Sequence, residues 1–180
     1  MQTTFTIPDG QKNGVYMVHT LDNGTEVHTR IRDLPRTTRR RGTIGNELTS
    51  DFPIYQVKCF PEEGLQDLDH RTCDSANAAL DELCGEGLEV DAGHSAYFVS
   101  ECVVAYYCHL ARSTMKGPTV CTAANRRLAS LEITNGCGRY KPGQAGRRIT
   151  DSLTDDFEDF IWGYESYCTS KGREFCTSGL

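Results

Sequence analysis

The residues of this chain best suited to chemistry are nine cysteines, five histidines and one dense run of arginines. Every cysteine lies between Cys59 and Cys176, and no two are spaced as Cys-x-x-Cys, a common half-site for tetrahedral zinc. Cross-linking is therefore the expected use, with at most four bridges and one thiol left over. A bridge typically adds about 2–4 kcal/mol by restricting the unfolded chain. No metal and no cofactor is expected. The histidines offer less. His94 beside Ser95 and His109 beside Cys108 are types used in nucleophilic catalysis, yet no Gly-x-Ser-x-Gly motif surrounds them. His94, Glu101 and Arg112 are types that a small ribonuclease combines. His19 and His28 flank a turn and could meet across it, but without a third ligand they read as surface residues. Asp151, Asp155, Asp156, Glu158 and Asp159 cluster without the spacing or central glycine of a calcium loop, and read as a solvated acidic segment. The expectation is a protein that binds rather than catalyses.

The run Arg36-Thr37-Thr38-Arg39-Arg40-Arg41 divides the chain. It reads as a cut site for a kexin-like protease acting at Arg39, Arg40 and Arg41, giving a leader over residues 1–41 and a mature domain over residues 42–180. The leader carries seven Lys and Arg against four Asp and Glu, a balance of +3; the remainder carries twelve against twenty-one, a balance of −9. A mature part that acidic repels phosphate backbones and anionic lipid, so nucleic-acid and membrane-surface partners are disfavoured. Opposite charge suggests that the leader docks on the domain weakly and salt-sensitively. Arg147-Arg148 is a second dibasic pair, in a glycine-rich turn, where a plain loop pair is favoured over a second processing site. Asn23-Gly24-Thr25 is a glycosylation acceptor triplet. No apolar run approaches the roughly 18 residues that span a bilayer. Nine cysteines suit an oxidising compartment, so secretion is expected, with the chain beginning after a cleaved signal.

The elements follow from turn signals and periodicity. Val15–His19 and Thr25–Thr29 flank Leu21-Asp22-Asn23-Gly24, a hairpin signal. Tyr55–Phe60 alternates and reads as a strand. Ala76, Ala79, Leu80 and Leu83 share one face of a helix capped at Thr72 or Asp74 and stopped by Gly85. Ala96–Val99 and Cys102–Cys108 are β-prone, with Ser100-Glu101 as a turn or a bulge. One of Tyr106 and Tyr107 is expected to point away from the core and leave a contact site. A second helix places Cys121, Ala124, Leu128 and Leu131 on one face and ends at Gly136. Tyr140–Gly146 reads as a turn region, and Gly163–Cys168 as a last strand. The fold class is α+β: an antiparallel sheet with both helices on one face, in the order strand, helix, strand, strand, helix, strand, preceded by the hairpin.

Cys73-Asp74-Ser75-Ala76 opening a helix, Ala96–Val99 leading to Val103–Cys108, Cys137-Gly138-Arg139-Tyr140, and Trp162-Gly163-Tyr164 before Cys168 together resemble small secreted cysteine-rich fungal proteins with a kexin-processed leader. Phe5–Gly10 with Asn13–Tyr16 resembles the leader of the same proteins, and the element order is similar to the α/β sandwich of fungal killer toxins. The resemblance implies an effector-like protein, extracellular in or around a host, that binds a host protein in virulence or avirulence. A killer-toxin-like antimicrobial protein is the alternative, and a small secreted hydrolase such as a ribonuclease the second. It also implies a frame of bridged cysteines at Cys59, Cys73, Cys108, Cys137, Cys168 and Cys176. Cys84 and Cys121, on the two expected helices, could pair if those helices lie side by side, leaving Cys102 free.

Overall fold

The computed structural model describes residues 4–31, 56–60, 67–110, 118–147, 159–169 and 173–176. Among them the chain forms nine strands and two helices: β1 (Gly14–Thr20), β2 (Glu26–Ile31), β3 (Gln56–Cys59), α1 (His70–Cys84), β4 (Leu88–Val90), β5 (His94–Ser100), β6 (Val103–Leu110), β7 (Thr119–Cys121), α2 (Ala123–Cys137), β8 (Gly143–Arg147) and β9 (Asp159–Ser166). Seven strands form one antiparallel sheet in the order β2-β1-β5-β6-β9-β8-β3, and β4 pairs with β7 in a small second sheet. This is the expected α+β class. The hairpin β1–β2 closes through Leu21–Thr25, where Gly24 takes φ +82°, a conformation glycine adopts without penalty. Between β5 and β6 the chain turns in two residues, Glu101 and Cys102, and Glu101 adopts φ +50°.

Both helices lie on one face of the sheet. α1 is capped by Asp69, one turn earlier than expected, whose carboxylate accepts from the Thr72 N–H at 2.9 Å. Its buried stripe of Thr72, Cys73, Ala76, Leu80, Leu83 and Cys84 packs over β5 and β6. α2 starts after Thr122, which accepts from the Asn125 N–H, and it runs through Gly136 to Cys137. Its buried face is Arg126, Ala129 and Ile133 rather than the expected Cys121, Ala124, Leu128 and Leu131. Leu131 is 52 % exposed, and Cys121 belongs to β7. On this face Arg126 pairs with the Asp81 carboxylate of α1.

The opposite face of the sheet is also covered. Phe5 and Ile7, Tyr167, Phe175 and Cys176 join Tyr16, Val18, Tyr97, Val99, Val104, Tyr106, Cys108, Leu110 and Ile161 in a second buried cluster. Tyr106 and Tyr107 are therefore both fully buried, each on its own face, and the contact site expected from one of them does not exist. Tyr106 lies across Gly163, its register partner, where a Cβ would enter the ring. Residues 143–147 form β8 and not a turn. Gly143 in particular is needed for close packing: a Cβ there would come within 3.0 Å of Ile133 on α2 and of the Lys58 carbonyl on β3. β9 begins at Asp159, earlier than the expected Gly163.

Residues on both sides of the basic run contribute to the one sheet. β1 pairs with β5 from Gly14↔Val99 to His19↔His94, and Phe5 exchanges backbone hydrogen bonds with Phe175. Phe5, Ile7, Val15, Tyr16 and Val18 are buried, each such side chain stabilising by about 1.5–3 kcal/mol before ordering costs. The contact between the two parts is made through a backbone ladder and an apolar interface.

Candidate functional site

Among the described residues, two places gather polar or reactive side chains. The first is a cleft of about 290 Å³ between α1 and α2, with Cys73, Tyr164 and Arg126 in its walls and Asp74, Arg139 and Tyr140 among the other residues lining it. α1 positions Cys73, Asn77 and Asp81 one helical turn apart, and α2 brings Arg126 against them. The Arg126 guanidinium is paired with the Asp81 carboxylate through Nε and Nη2 and donates to Asn77 Oδ1 at 2.8 Å. Exposed Arg127 reaches the same carboxylate at 3.0 Å. Tyr140, at φ +58°, donates to Asp74, stacks on His70 at 3.8 Å and lies under the Arg139 guanidinium.

Cys73 is the unpaired cysteine, and its Sγ lies 3.5 Å from Asn77 Nδ2. Burial, reinforced by Asp74, pushes its thiol up to about 12. The nearby guanidinium acts in the opposite direction but is shared with Asp81. Burial likewise raises the Tyr164 hydroxyl, offset in part by hydrogen bonding to Thr134 and Ser130. Nucleophilic sulfur chemistry needs the thiolate, which this setting suppresses. The cleft is a polar seam around an inert thiol.

The bridges are Cys59–Cys137, Cys84–Cys121, Cys102–Cys168 and Cys108–Cys176. Two expectations change. Cys73, placed in the bridged frame, is free, and Cys102, left free, is bonded. The β6–β9 register explains the second point: Val103↔Ser166 brings the cysteines just beyond each strand end to a Cα–Cα distance of 4.9 Å. Cys84–Cys121 ties the end of α1 to β7, not to α2.

The second place is the socket around Tyr97 on β5. Phe5 and Tyr16 stack on the Tyr97 ring, each at a centroid distance of 5.1 Å, and His28 meets it edge-on at 5.8 Å. His28 Nδ1 lies 2.8 Å from the Tyr97 hydroxyl, its Nε2 lies 3.3 Å from Glu26, and Glu26 accepts from the backbone N–H and hydroxyl of Thr6. Glu26, His28 and Tyr97 form a carboxylate–imidazole–hydroxyl chain. Burial pushes the Tyr97 hydroxyl far above the ordinary phenol range, so it works as a hydrogen-bonding anchor and not as a nucleophile. No family model, curated protein or solved structure matches this chain.

The remaining candidate residues do not assemble in the expected groupings. His19 and His28 do not face each other, because Val18 and not His19 is the register partner of His28; His19 stacks on His94 instead. His94 and Glu101 stand at opposite ends of β5, on the order of 20 Å apart at the usual strand rise, and Arg112 lies outside the described residues. His109 is buried with Nδ1 on the Val90 carbonyl, a structural role. Asn23 sits on an exposed turn, its Oδ1 accepting from the Thr25 N–H. Arg36–Arg41, Arg148 and residues 151–158 lie outside the described residues, and Arg147 ends β8 paired with Phe160. Among the described residues no group of three or more His, Cys, Asp or Glu is arranged to hold a metal, and no helix is long and apolar enough to cross a membrane.

Sequence reasoning missed both places. Arg126, Ala129 and Ile133 do stand at helical spacing, so a stripe containing an arginine was visible; what marks it as interior is Asp81, far away in sequence. The Tyr97 socket draws on residues 5, 16, 28 and 97, which no local pattern connects.

Proposed function

We propose that this protein is a secreted, effector-like protein of fungal type, matured by a kexin-like protease at Arg39–Arg41, that acts by binding a host protein. The observation that carries this reading is the set of four bridges, which fasten the sheet to α2, α1 to β7, the β5–β6 turn to the segment after β9, and β6 to the C-terminal segment. So dense a cross-linking is stable in an oxidising, protease-rich setting and is rare in a reducing one. The geometry adds support. The one free thiol is suppressed, and the histidines singled out for catalysis are separated or committed to structural hydrogen bonds.

The test is intact-mass measurement of the natively secreted product, with and without reduction, followed by affinity capture from host extract. The expected result is a chain cut after Arg41, eight hydrogens gained on full reduction of the four bridges, and a saturable protein partner. An uncut, fully reduced intracellular product would overturn the reading. Growth inhibition of fungal cells without any host partner would favour the killer-toxin-like alternative.

A further inference from the structure

We propose that the β5 edge and the Tyr97 socket are a binding site for residues 4–31, so that cutting the chain within Arg36–Arg41 leaves a non-covalent two-chain molecule. This rests on the maturation reading above and specifies its product. The usual expectation for a cut leader is release, and here nothing covalent opposes release, since the first cysteine is Cys59. What opposes it is geometry. β1 lies between β2 and β5, so removing the segment takes two strands from the sheet and opens the whole of β5, His94–Ser100, as an unpaired edge. It also strips the stacked rings of Phe5 and Tyr16 from Tyr97 and removes Phe5 from Phe175. A long edge strand carrying buried aromatic residues is a template for aggregation, which retention of the leader prevents.

The hold extends beyond the ladder. At one end of β1, Asn13 Oδ1 accepts from the Glu101 N–H at 2.8 Å. At the start of the segment, the Tyr167 hydroxyl donates to the Pro8 carbonyl at 2.8 Å. The chain Glu26, His28, Tyr97 adds a polar contact in a half-buried setting. The Asn13–Glu101 contact is exposed, but the others are part-buried. All are short-ranged, and the ladder and stacked rings carry no net charge, so added salt should screen the hold little.

The experiment uses the full chain with the natural run, and a second version in which Arg36–Arg41 is replaced by the recognition sequence of a site-specific endoprotease. Each is cut in the folded state and passed over a sizing column at low and at 1 M salt, with the fractions weighed by intact mass. The expected result is that the segment containing residues 4–31 co-elutes with the remainder at both salt concentrations and separates only in denaturant. Phe5→Ala and Tyr16→Ala should each speed its exchange for a labelled synthetic copy at least tenfold without altering the bridges. Separation of the two pieces under native conditions, in either version, would overturn the proposal. If the natural run resists a kexin-like protease while the engineered version is cut and holds together, the maturation reading fails and the binding site stands.

Discussion

Asp81→Ala isolates the force that seats α2 on α1. The Arg126 side chain is 9 % exposed and that of Asp81 14 % exposed, and they share a two-pronged contact. Removing the carboxylate leaves the guanidinium buried with Asn77 as its remaining described side-chain acceptor. Breaking a buried pair from one side costs about 3–5 kcal/mol, because the surviving charge is neither solvated nor matched. The residual exposure places this case at the lower end, about 3 kcal/mol. For a chain of this length that corresponds to a fall in melting temperature of roughly 6–12 °C. Arg127, at 68 % exposure, adds only a surface pair of about 0.2–1 kcal/mol. The assay is urea unfolding with the bridges intact, followed by the fluorescence of Trp162, the single tryptophan, which lies buried against Tyr107 and Phe160. The control is Asp81→Leu with Arg126→Met, which replaces both charges by apolar volume and should recover most of the loss. A cost below about 1 kcal/mol for Asp81→Ala, or a double variant as unstable as the two single losses added, would refute the claim that pairing turns Arg126 inward.

Three further outcomes are expected. Cys73 in the folded protein should react with iodoacetamide at pH 8 at least about a hundredfold more slowly than after unfolding, since a thiol raised to about 12 holds little thiolate there; equal rates would show that the cleft does not shield it. Gly163→Ala should cost about 1–3 kcal/mol in urea unfolding, because the new methyl enters the Tyr106 ring; a neutral result would place that ring elsewhere. Asp69 is held below its ordinary value of 3.8 mainly by the Thr72 N–H, and Asp67 likewise by Lys141. With folded values depressed, their contribution is complete above 3.8 and is lost as pH falls through the folded values, so the urea midpoint should drop on that acid side. Asp69→Asn keeps the cap and should flatten the drop; an unchanged acid limb would remove Asp69 from the explanation.

Where local chemistry decides, the sequence was readable. Asn23-Gly24 closes the hairpin, Gly85 stops α1, and the apolar runs of β5 and β6 pair across a two-residue turn. Where packing decides, it was not. Gly143-Gln144-Ala145-Gly146 carries the composition of a turn, yet Gly143 serves the closeness of Ile133 and of β3, a demand set by residues distant in sequence. The α2 face was misread because apolar count favoured Leu128 and Leu131, while Asp81 supplies a stronger reason to bury Arg126. Cysteine pairing needs register: once β6 and β9 are aligned, Cys102 and Cys168 are neighbours, and no spacing rule in one dimension says so. The opposite charges of the two parts were visible in the sequence, but the ladder and the stacked rings that seat the hairpin were not.

The odd cysteine shows how these demands combine. A chain with four bridges and a ninth thiol risks exchange, because a thiolate attacks a disulfide wherever it can reach one. Two features of the α1–α2 seam act against this. Burial of Cys73 in the first turn of α1 keeps the sulfur protonated, and the guanidinium that would otherwise favour its thiolate is shared with Asp81 and Asn77. Asp81 thus has two roles, holding the helices together and drawing the cation away from the thiol. The Asp81→Ala variant should therefore do more than melt early. At a temperature where it is still folded, its Cys73 should alkylate faster than in the unaltered protein, and mixed disulfides should accumulate during oxidative refolding. Cys73→Ala on the same background should abolish the mixed disulfides while leaving the lost stability in place. If mixed disulfides persist in that double variant, the scrambling arises from the eight bridged cysteines, and the seam does not protect them.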